Sequence, residues 1–467
     1  QTCALPISNS QSRNRFGSVG AGWTGAKNYL GANYGYDDTR FGIPVVEEGH
    51  IESTPRRHSL TVRGGGQDLN GLFDSFRGTL SVKRYKHDEL NLGEVDTAFR
   101  NDTDEIELMG AHRAAGRLKG SLGVWFLNRG FGATGEEALS PNVDQRALSA
   151  FLYEEMTWPH VTMQFAGRAE HTRYVPADEG SRSFNTGSGS VGLLLRPAAA
   201  DDRLIVAFSL ARAARYPALE ELFYFGDHPG NFAFEIGNPN LNPEHARGAD
   251  VSLRWRGPRA SCEVGYFRNS IDDFIFRSPL APVELRARRT EFERRFPRET
   301  TAARIGESLA SAGLDGAFPV VEYVAADSVL QGLEAHGDVS LMPSLTLEFS
   351  ADYVRGKLKH SGEPLPRMPP LRFIGGLRYQ HNAFQVGGDI SAVATQDRVF
   401  DTESPTDGYQ LLKVFASYSF ATGRATSTVT FRVDNLSDAL YRNHLSFIKE
   451  LTPEMGRNVK LVYNVRF

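Results

Sequence analysis

The sequence has little cysteine and no long apolar run. Its 467 residues contain two cysteines, Cys3 and Cys262, too few for a disulfide framework or a cysteine-rich zinc site. No stretch approaches the ~18 consecutive apolar residues that a transmembrane helix needs. The formal net charge is −4, which gives no reason to expect nucleic acid as a partner. A membrane protein built from strands stays compatible with this composition, because alternating strands average out in any hydropathy window.

The motifs of common enzymes are also missing. Gly64-Gly65-Gly66 lacks the Lys-Ser/Thr of a phosphate loop, so we interpret it as a turn. There is no Gly-x-Ser-x-Gly elbow, and nothing in the sequence pairs a serine with a histidine and an aspartate. We therefore expect neither enzymatic activity nor a bound cofactor.

The last twelve residues, 456–467, form the most informative stretch. An extended strand here places apolar side chains on one face: Val459, Leu461, Tyr463, Val465 and Phe467. The other face is polar except for Val462: Asn458, Lys460, Asn464 and Arg466. A soluble β-sandwich has similar strands, but a chain that stops on an aromatic residue at such a strand is typical of outer-membrane barrels.

The same alternation recurs upstream. Eighteen strands are predicted, the first at Asn28–Tyr36, and the clearest is Leu345–Val354. Leu347 and Phe349 should face lipid with Val459, Leu461 and Tyr463, whereas Glu348, Asp352, Lys460 and Arg466 should face inward. The connections alternate in length, with long ones predicted at 88–103, 129–145, 173–186, 212–247, 277–318, 355–370, 396–408 and 435–455. The longest, 277–318, is expected to be a solvated extracellular loop with an Arg-rich, helical patch around Arg286–Arg304. The pattern predicts an all-β, antiparallel transmembrane barrel, which accounts for about 18 strands of a barrel of about 22.

The N-terminal residues read differently from the rest. Residues 1–8, Gln-Thr-Cys-Ala-Leu-Pro-Ile-Ser, look like translated sequencing adapter and are excluded from the fold prediction. Residues 9–467 are expected to form one barrel domain. There is no initiating Met and no signal peptide, so we expect a chain that has lost its N-terminal part.

Several motifs resemble TonB-dependent outer-membrane receptors. The stretch Ala214–Phe223 followed by Ile236–Glu244 resembles their Arg-x-Pro…Glu-Leu…Gly-Asn-x-x-Leu-x-x-Glu pattern. Their mid-barrel strand and C-terminal signature have counterparts in Tyr266–Ile275, Asp434–Asp438, Tyr441, Gly456-Arg457 and Phe467. The resemblance covers roughly residues 16–467, and the order and spacing of the motifs make it specific.

Within that family the sequence is most similar to zinc receptors. Gly226-Asp227-His228-Pro229 and Phe234-Glu235-Ile236-Gly237 resemble their Gly-x-His…Phe-Glu-x-Gly loop. The resemblance implies ligand contacts at Asp227, His228 and Glu235. It implies zinc ligation by His228 with Glu136 or Glu137, and histidine and carboxylate are ordinary zinc ligands. The alternative is that His228 is a plain loop histidine and both glutamates are surface acids.

The resemblance also implies partners and a location. Such receptors lie in the outer membrane, hold an N-terminal plug in the barrel, and are driven by TonB; we expect the plug to be missing from this sequence. A metal or metal-chelate substrate is expected, with siderophore, haem, vitamin or sugar as alternatives to zinc. A passive porin is the rival class. Without the remaining strands the sheet should be an open arc with a gap between 28–36 and the C-terminal strand.

Overall fold

The computed structural model of this protein describes residues 11–43, 51–135, 138–198, 201–228, 231, 233–298, 300–311 and 319–466. Strands make up 67% of it and helices 7%. Among the described residues, no helix is long and apolar enough to cross a membrane.

The first half of the chain forms strands joined mostly by hairpins. They are β1 (Ser12–Thr24), β2 (Asn28–Gly42), β3 (Ile51–Ser53), β4 (Arg56–Gly66), β5 (Phe73–Asn91), β6 (Glu94–His112), β7 (Leu118–Gly135), β8 (Val143–Thr157), β9 (Val161–Pro176), β10 (Arg182–Leu195) and β11 (Leu204–Arg215).

The second half adds two structured loops and the remaining strands. The first loop contains α1 (Leu219–Phe223), β12 (Phe225–His228) and β13 (Ala233–Ile236). After β14 (Glu244–Arg256) and β15 (Ala260–Pro279), the second loop contains α2 (Pro282–Ala287), α3 (Arg289–Arg295) and α4 (Thr301–Ser311). The chain ends with β16 (Val320–Met342), β17 (Leu345–Leu358), β18 (Arg372–His381), β19 (Phe384–Val393), β20 (Tyr409–Thr422), β21 (Ala425–Asp434) and β22 (Asn458–Arg466).

In the described residues these 22 strands form one sheet, which confirms the predicted fold class. Each long strand pairs antiparallel with its neighbours, and β14 joins directly to β11 because β12 and β13 lie in the loop between them. The short β13 runs parallel to β16 over three residue pairs. Within the described residues β1 pairs only with β2 and β22 only with β21, so both are edge strands.

The prediction that the 28–36 strand is the first edge of the sheet was wrong, because one more strand precedes it. Ser12–Thr24 forms β1, so the gap lies between β1 and β22 and not beside the 28–36 strand. Sequence reasoning missed β1 because its inward positions include Gly20 and Gly22, which leave little alternation to detect.

The predicted long connection at 88–103 was also wrong. β5 and β6 stay paired, with one register shift between Glu89 and Leu90, up to a two-residue turn at Leu92 and Gly93, whose φ angles are +52° and +92°. The ladder continues because opposite charges pair across it, with Arg84 Nη1 2.7 Å from Asp104 Oδ1. A charged stretch that resembled a loop is therefore a hairpin.

The two faces of the sheet separate as predicted. Leu461 and Tyr463 are 74% and 58% exposed on the apolar face, whereas Glu348 lies 3.3 Å from Arg378 and Lys460 lies 3.2 Å from Asp434 on the other. A cavity of about 630 Å³ opens on this polar face and is lined by these charges. The polar face is therefore the concave inner wall.

The 277–318 connection was predicted to be a solvated loop with an Arg-rich, helical patch around Arg286–Arg304. Its helices α2–α4, here called the helical cap (282–311), confirm the helical part. The prediction that this loop is solvated was wrong, because four of its apolar side chains are fully buried: Leu285, Phe292, Phe296 and Ile305. They pack against three apolar residues of the β12–β13 hairpin: Phe225, Phe234 and Ile236.

Candidate functional site

A short hairpin in the loop between β11 and β14 carries the candidate site. Arg215, at the end of β11, pairs with Glu221 in α1 at 2.9 Å and with Glu244 at the start of β14 at 2.8 Å. Glu221 also accepts the Ala218 backbone N–H at 2.7 Å, which caps α1. The two ends of the loop are thus tied to one arginine, and β12 and β13 follow as a fixed hairpin.

The carboxylate of Glu235 is the centre of this site. Its side chain is 1% exposed, and the flanking Phe234 and Ile236 are buried against the helical cap. Oε1 accepts hydrogen bonds from Asn231 Nδ2 at 2.7 Å and from Arg277 Nη1 at 2.8 Å. Oε2 accepts one from the Tyr323 hydroxyl at 3.1 Å. A buried carboxylate needs such partners, and here the hairpin, β15 and β16 each supply one.

The partners of Glu235 keep it ionised. Burial by itself raises the pKa of a carboxyl group, and burial is the largest influence here. The hydrogen bond and charge of His228, the charge of Arg277 and the hydrogen bond from Asn231 together outweigh it, so the pKa of Glu235 is lowered from its ordinary value. Glu235 is therefore an anion at neutral pH and able to attract a cation.

His228 stands beside this carboxylate. Its Nδ1 lies 3.3 Å from Glu235 Oε1 and 2.9 Å from Asn231 Nδ2. The side chain is 31% exposed, so the ring is reachable from solvent. A tetrahedral zinc ion with bonds of about 2.0–2.1 Å separates its ligand atoms by about 3.3 Å, the spacing found here.

The structure brings two of the three predicted ligand positions on the hairpin into contact. His228 and Glu235 meet, whereas Asp227 contributes a ladder pair with Phe234. Glu136 and Glu137 lie outside the described residues. The described part of their loop does contact the hairpin, since the Phe225 backbone N–H donates to the Leu139 carbonyl at 2.8 Å. Within the described part of the chain, no three His, Cys, Asp or Glu side chains gather closely enough to hold a metal ion.

The aromatic ring of Phe447 connects the site to a neighbouring loop. The Arg277 guanidinium, which holds Glu235, lies 4.3 Å from the ring centre of Phe447. The Arg367 guanidinium lies 3.4 Å from the same ring centre. Burial, followed by the nearby charge of Arg277, lowers the pKa of Arg367 against the opposing effect of Glu403. The hairpin is in this way linked to the last long loop.

A second buried polar cluster joins the 394–408 and 435–457 loops. His444 has a side chain that is 1% exposed, and its Nδ1 lies 3.0 Å from Thr406 Oγ1 and 3.4 Å from Lys449 Nζ. Its Nε2 is 3.9 Å from Glu403 Oε2, and neither atom has a hydrogen-bond partner among the described residues. Burial and the charge of Lys449 lower the pKa of His444.

Sequence reasoning missed Arg277, Tyr323 and Asn231 as members of the site. Arg277 and Tyr323 lie 42 and 88 residues from Glu235 along the chain, on different strands. Asn231 is close in sequence, and its position between His228 and Glu235 was the only available signal.

In the described part of the chain the fold is a 22-stranded, almost wholly antiparallel sheet, and its structured loops bring the buried Glu235 beside His228. Comparison with known proteins gives the class. The family profile described as "TonB dependent receptor-like, beta-barrel" matches residues 6–436. The chain therefore belongs to the TonB-dependent receptor family.

Two curated relatives that match are named for haem and hemopexin. "Heme/hemopexin utilization protein C" of Haemophilus influenzae is 27% identical over 270 residues, covering 53% of this chain and 34% of that protein. This chain thus spans about a third of the length of the curated relatives it matches.

Two solved structures share the fold over nearly the whole chain. "Copper transporter OprC" has a TM-score of 0.77 at 17% identity and covers 98% of this chain and 71% of its own. The FrpB iron transporter from Neisseria meningitidis has a TM-score of 0.71 at 14% identity and covers 97% and 71%. These relatives are named for copper, iron and haem, and none of the three for zinc.

Proposed function

We propose that this protein is an outer-membrane receptor that takes up a scarce metal ion, with zinc as its cargo. The observation that carries the proposal is the pair formed by His228 Nδ1 and the ionised Glu235 Oε1 at 3.3 Å. Imidazole nitrogen and carboxylate oxygen are zinc ligands, and a pre-formed ligand edge reduces the ordering cost of binding.

The metal would take the place of a hydrogen bond. In the described structure Asn231 bridges His228 and Glu235 through its amide NH₂. A zinc ion on the same two atoms displaces that amide group, and rotation of the amide offers its oxygen instead. The predicted further ligands are Glu136 and Glu137, whose loop meets the hairpin at Leu139.

TonB and the outer membrane complete the proposal. The family resemblance implies that a plug and the TonB complex couple uptake to the energy of the inner membrane, and this is what separates a receptor from a passive porin. We propose a transport role for the protein and no enzymatic one.

Haem is the second candidate. It is favoured by the relative named for heme and hemopexin utilisation, which is 27% identical to this chain over 270 residues. Haem would not require the pair of His228 and Glu235 as ligands, since one histidine is enough to bind haem iron from one side. The two candidates therefore predict different roles for Glu235.

The test compares His228→Ala and Glu235→Gln in the receptor expressed from its complete gene. Radioactive zinc uptake and growth on haem as the iron source are measured in the same deletion strain. Zinc uptake should fall at least tenfold in both variants while haem-dependent growth is unchanged. His360→Ala, an exposed histidine outside the site, is the matched control. Loss of haem growth in His228→Ala with normal zinc uptake would establish haem in place of zinc.

A further inference from the structure

The outward face of the barrel changes from apolar to basic at one level. On β11, β14, β15, β16 and β17 the outward apolar residues are exposed, among them Leu210, Val251, Tyr266, Leu333 and Tyr353. The register places Tyr266 opposite Leu333, and Leu333 opposite Tyr353, so they form one band. Such a band is the surface that faces lipid in an outer-membrane barrel.

Basic residues follow directly beyond that band, on the side of the long loops. Two positions after Leu210 comes Arg212, two positions after Tyr266 comes Arg268, and two positions after Tyr353 comes Arg355. Side chains two apart on a strand share a face, so these arginines point outward like the apolar residues. We call the full set the basic rim: Arg212, Arg247, Arg268, Arg355, Lys357 and Lys359.

The basic rim contains a repulsive arrangement. Arg212 on β11 and Arg247 on β14 are directly opposite each other in the ladder. Like charges in that position destabilise a sheet. Arg212 forms no ion pair with any described carboxylate, and Arg247 shares Asp272 with Lys359. Six cations therefore face two acids, Asp272 and Asp327, which leaves the rim with unbalanced positive charge.

A second arginine pair repeats the arrangement elsewhere on the same face. Arg146 on β8 lies directly opposite Arg173 on β9, one step beyond the exposed Leu148. Both arginines are exposed, and neither pairs with a carboxylate of the described chain. Two cross-strand arginine pairs at the upper border of the apolar band are consistent with a shared external counter-charge.

We propose that the basic rim binds the phosphate groups of a phosphorylated glycolipid of the outer leaflet. Arginine holds phosphate through two parallel hydrogen bonds, and one phosphate between Arg212 and Arg247 turns their repulsion into attraction to a common anion. The rim crosses four strand gaps of about 4.8 Å each, so it is about 19 Å wide and can hold more than one phosphate. The proposal rests on the outer-membrane location argued above.

The chemistry of the rim favours this lipid over a simple phospholipid head group. The acyl chains of a glycolipid would lie against the apolar band while its phosphates reach the level of the arginines. A phosphodiester carries one charge, whereas a bisphosphorylated head group offers several across the width of the rim. The arrangement therefore predicts preference for a head group with two phosphates.

The test measures lipid binding to the whole receptor, expressed from its complete gene and purified in neutral detergent. Native mass spectrometry quantifies bound bisphosphorylated lipid A for the wild type, for Arg212→Gln/Arg247→Gln, and for Arg355→Gln/Lys357→Gln. Arg254→Gln is the matched control, since Arg254 lies on β14 but pairs with Glu263 on the inner face. Dephosphorylated lipid A, phosphatidylglycerol and inorganic phosphate are the comparison probes.

Each rim variant should bind bisphosphorylated lipid A at least tenfold more weakly than the wild type, and Arg254→Gln should bind like the wild type. Two rim variants are used so that poor assembly of one still leaves the other to decide. Unchanged binding in an assembled rim variant overturns the proposal. Equal binding of phosphatidylglycerol, or complete competition by inorganic phosphate, also overturns it, since the rim would then attract any anion. Zinc uptake should be unchanged in the rim variants, so this test and that of the metal site fail independently.

Discussion

Arg298 is expected to hold the helical cap closed over the neighbouring loops. Its guanidinium donates to Glu179 Oε1 from Nε at 2.9 Å, to the Leu139 carbonyl at 2.8 Å and to the Phe223 carbonyl. One side chain thus joins the cap to three other loops. Arg298→Ala removes all of these contacts at once.

The size of the effect follows from burial. The Arg298 and Glu179 side chains are 11% and 4% exposed, and burial raises the pKa of Glu179 and lowers that of Arg298 despite their pairing. Removal of one partner from a buried pair leaves the other charge uncompensated and costs roughly 3–5 kcal/mol. The opening equilibrium of the cap should therefore rise by more than about a hundredfold, since ~1.4 kcal/mol corresponds to a factor of ten.

Hydrogen–deuterium exchange of the whole receptor measures this opening directly. Amides of α3 and α4 should exchange more than about a hundredfold faster in Arg298→Ala. Arg294→Ala is the control, because Arg294 is exposed and its hydrogen bond among the described residues goes to the Thr290 carbonyl of its own helix. Its effect should stay within about 0.5 kcal/mol.

A second substitution separates a charge effect from a general loss of packing. Adding Glu179→Ala to Arg298→Ala removes the stranded carboxylate, so the double variant should be less destabilised than Arg298→Ala alone. Unchanged protection in Arg298→Ala would refute the reasoning. Equal effects in the single and double variants would show that the buried charge is not the cause.

Three further predictions concern other parts of the molecule. Phe292→Ala should cost the cap roughly 3–5 kcal/mol, seen as faster exchange in α3 but not in β17. Leu347→Arg, on the lipid face, should destabilise the receptor folded in the outer membrane by about 2–4 kcal/mol, whereas Glu348→Arg should have a smaller effect. Equal effects would contradict the register. Because the pKa of His444 is lowered, protonation opposes burial: loop 435–457 should keep its protection above about pH 6.5 and lose it below, and His444→Gln should abolish this pH dependence.

The regular parts of the barrel could be predicted from the sequence because strand alternation is a local signal. Leu345–Val354 alternates without interruption, and the structure forms β17 there. Where local signals were weak or misleading, prediction was wrong: glycines obscured β1, and charged residues that pair across β5 and β6 resembled a loop. The buried face of the cap, in contrast, depends on Phe225 and Phe234 from another loop, which no local pattern reveals.

The candidate site was predictable only in part. Asp227, His228 and Glu235 came from a motif within one loop, and two of them do meet. The pKa of Glu235 is lowered by His228 and then by Arg277, and its hydrogen bonding is completed by Tyr323; Arg277 and Tyr323 reach it only after β15 and β16 are in place. The roles of Glu136 and Glu137 stay predictions, since both lie outside the described residues.

Because β13 pairs in parallel with β16, the two strands of the hairpin differ in how they are attached to the barrel. Glu235 lies on the side that is hydrogen-bonded to the barrel wall through the Phe234–Val320 to Ile236–Glu322 register. His228 ends the other side, β12, whose strand partner in the described residues is β13 alone. The hairpin is therefore fixed to the barrel wall along β13, whereas β12 does not pair with the wall in the described residues. Phe225 at the start of β12 is held by the Leu139 carbonyl and by the helical cap, so release of a bound ion should involve movement at the His228 end of β12, without deformation of the barrel.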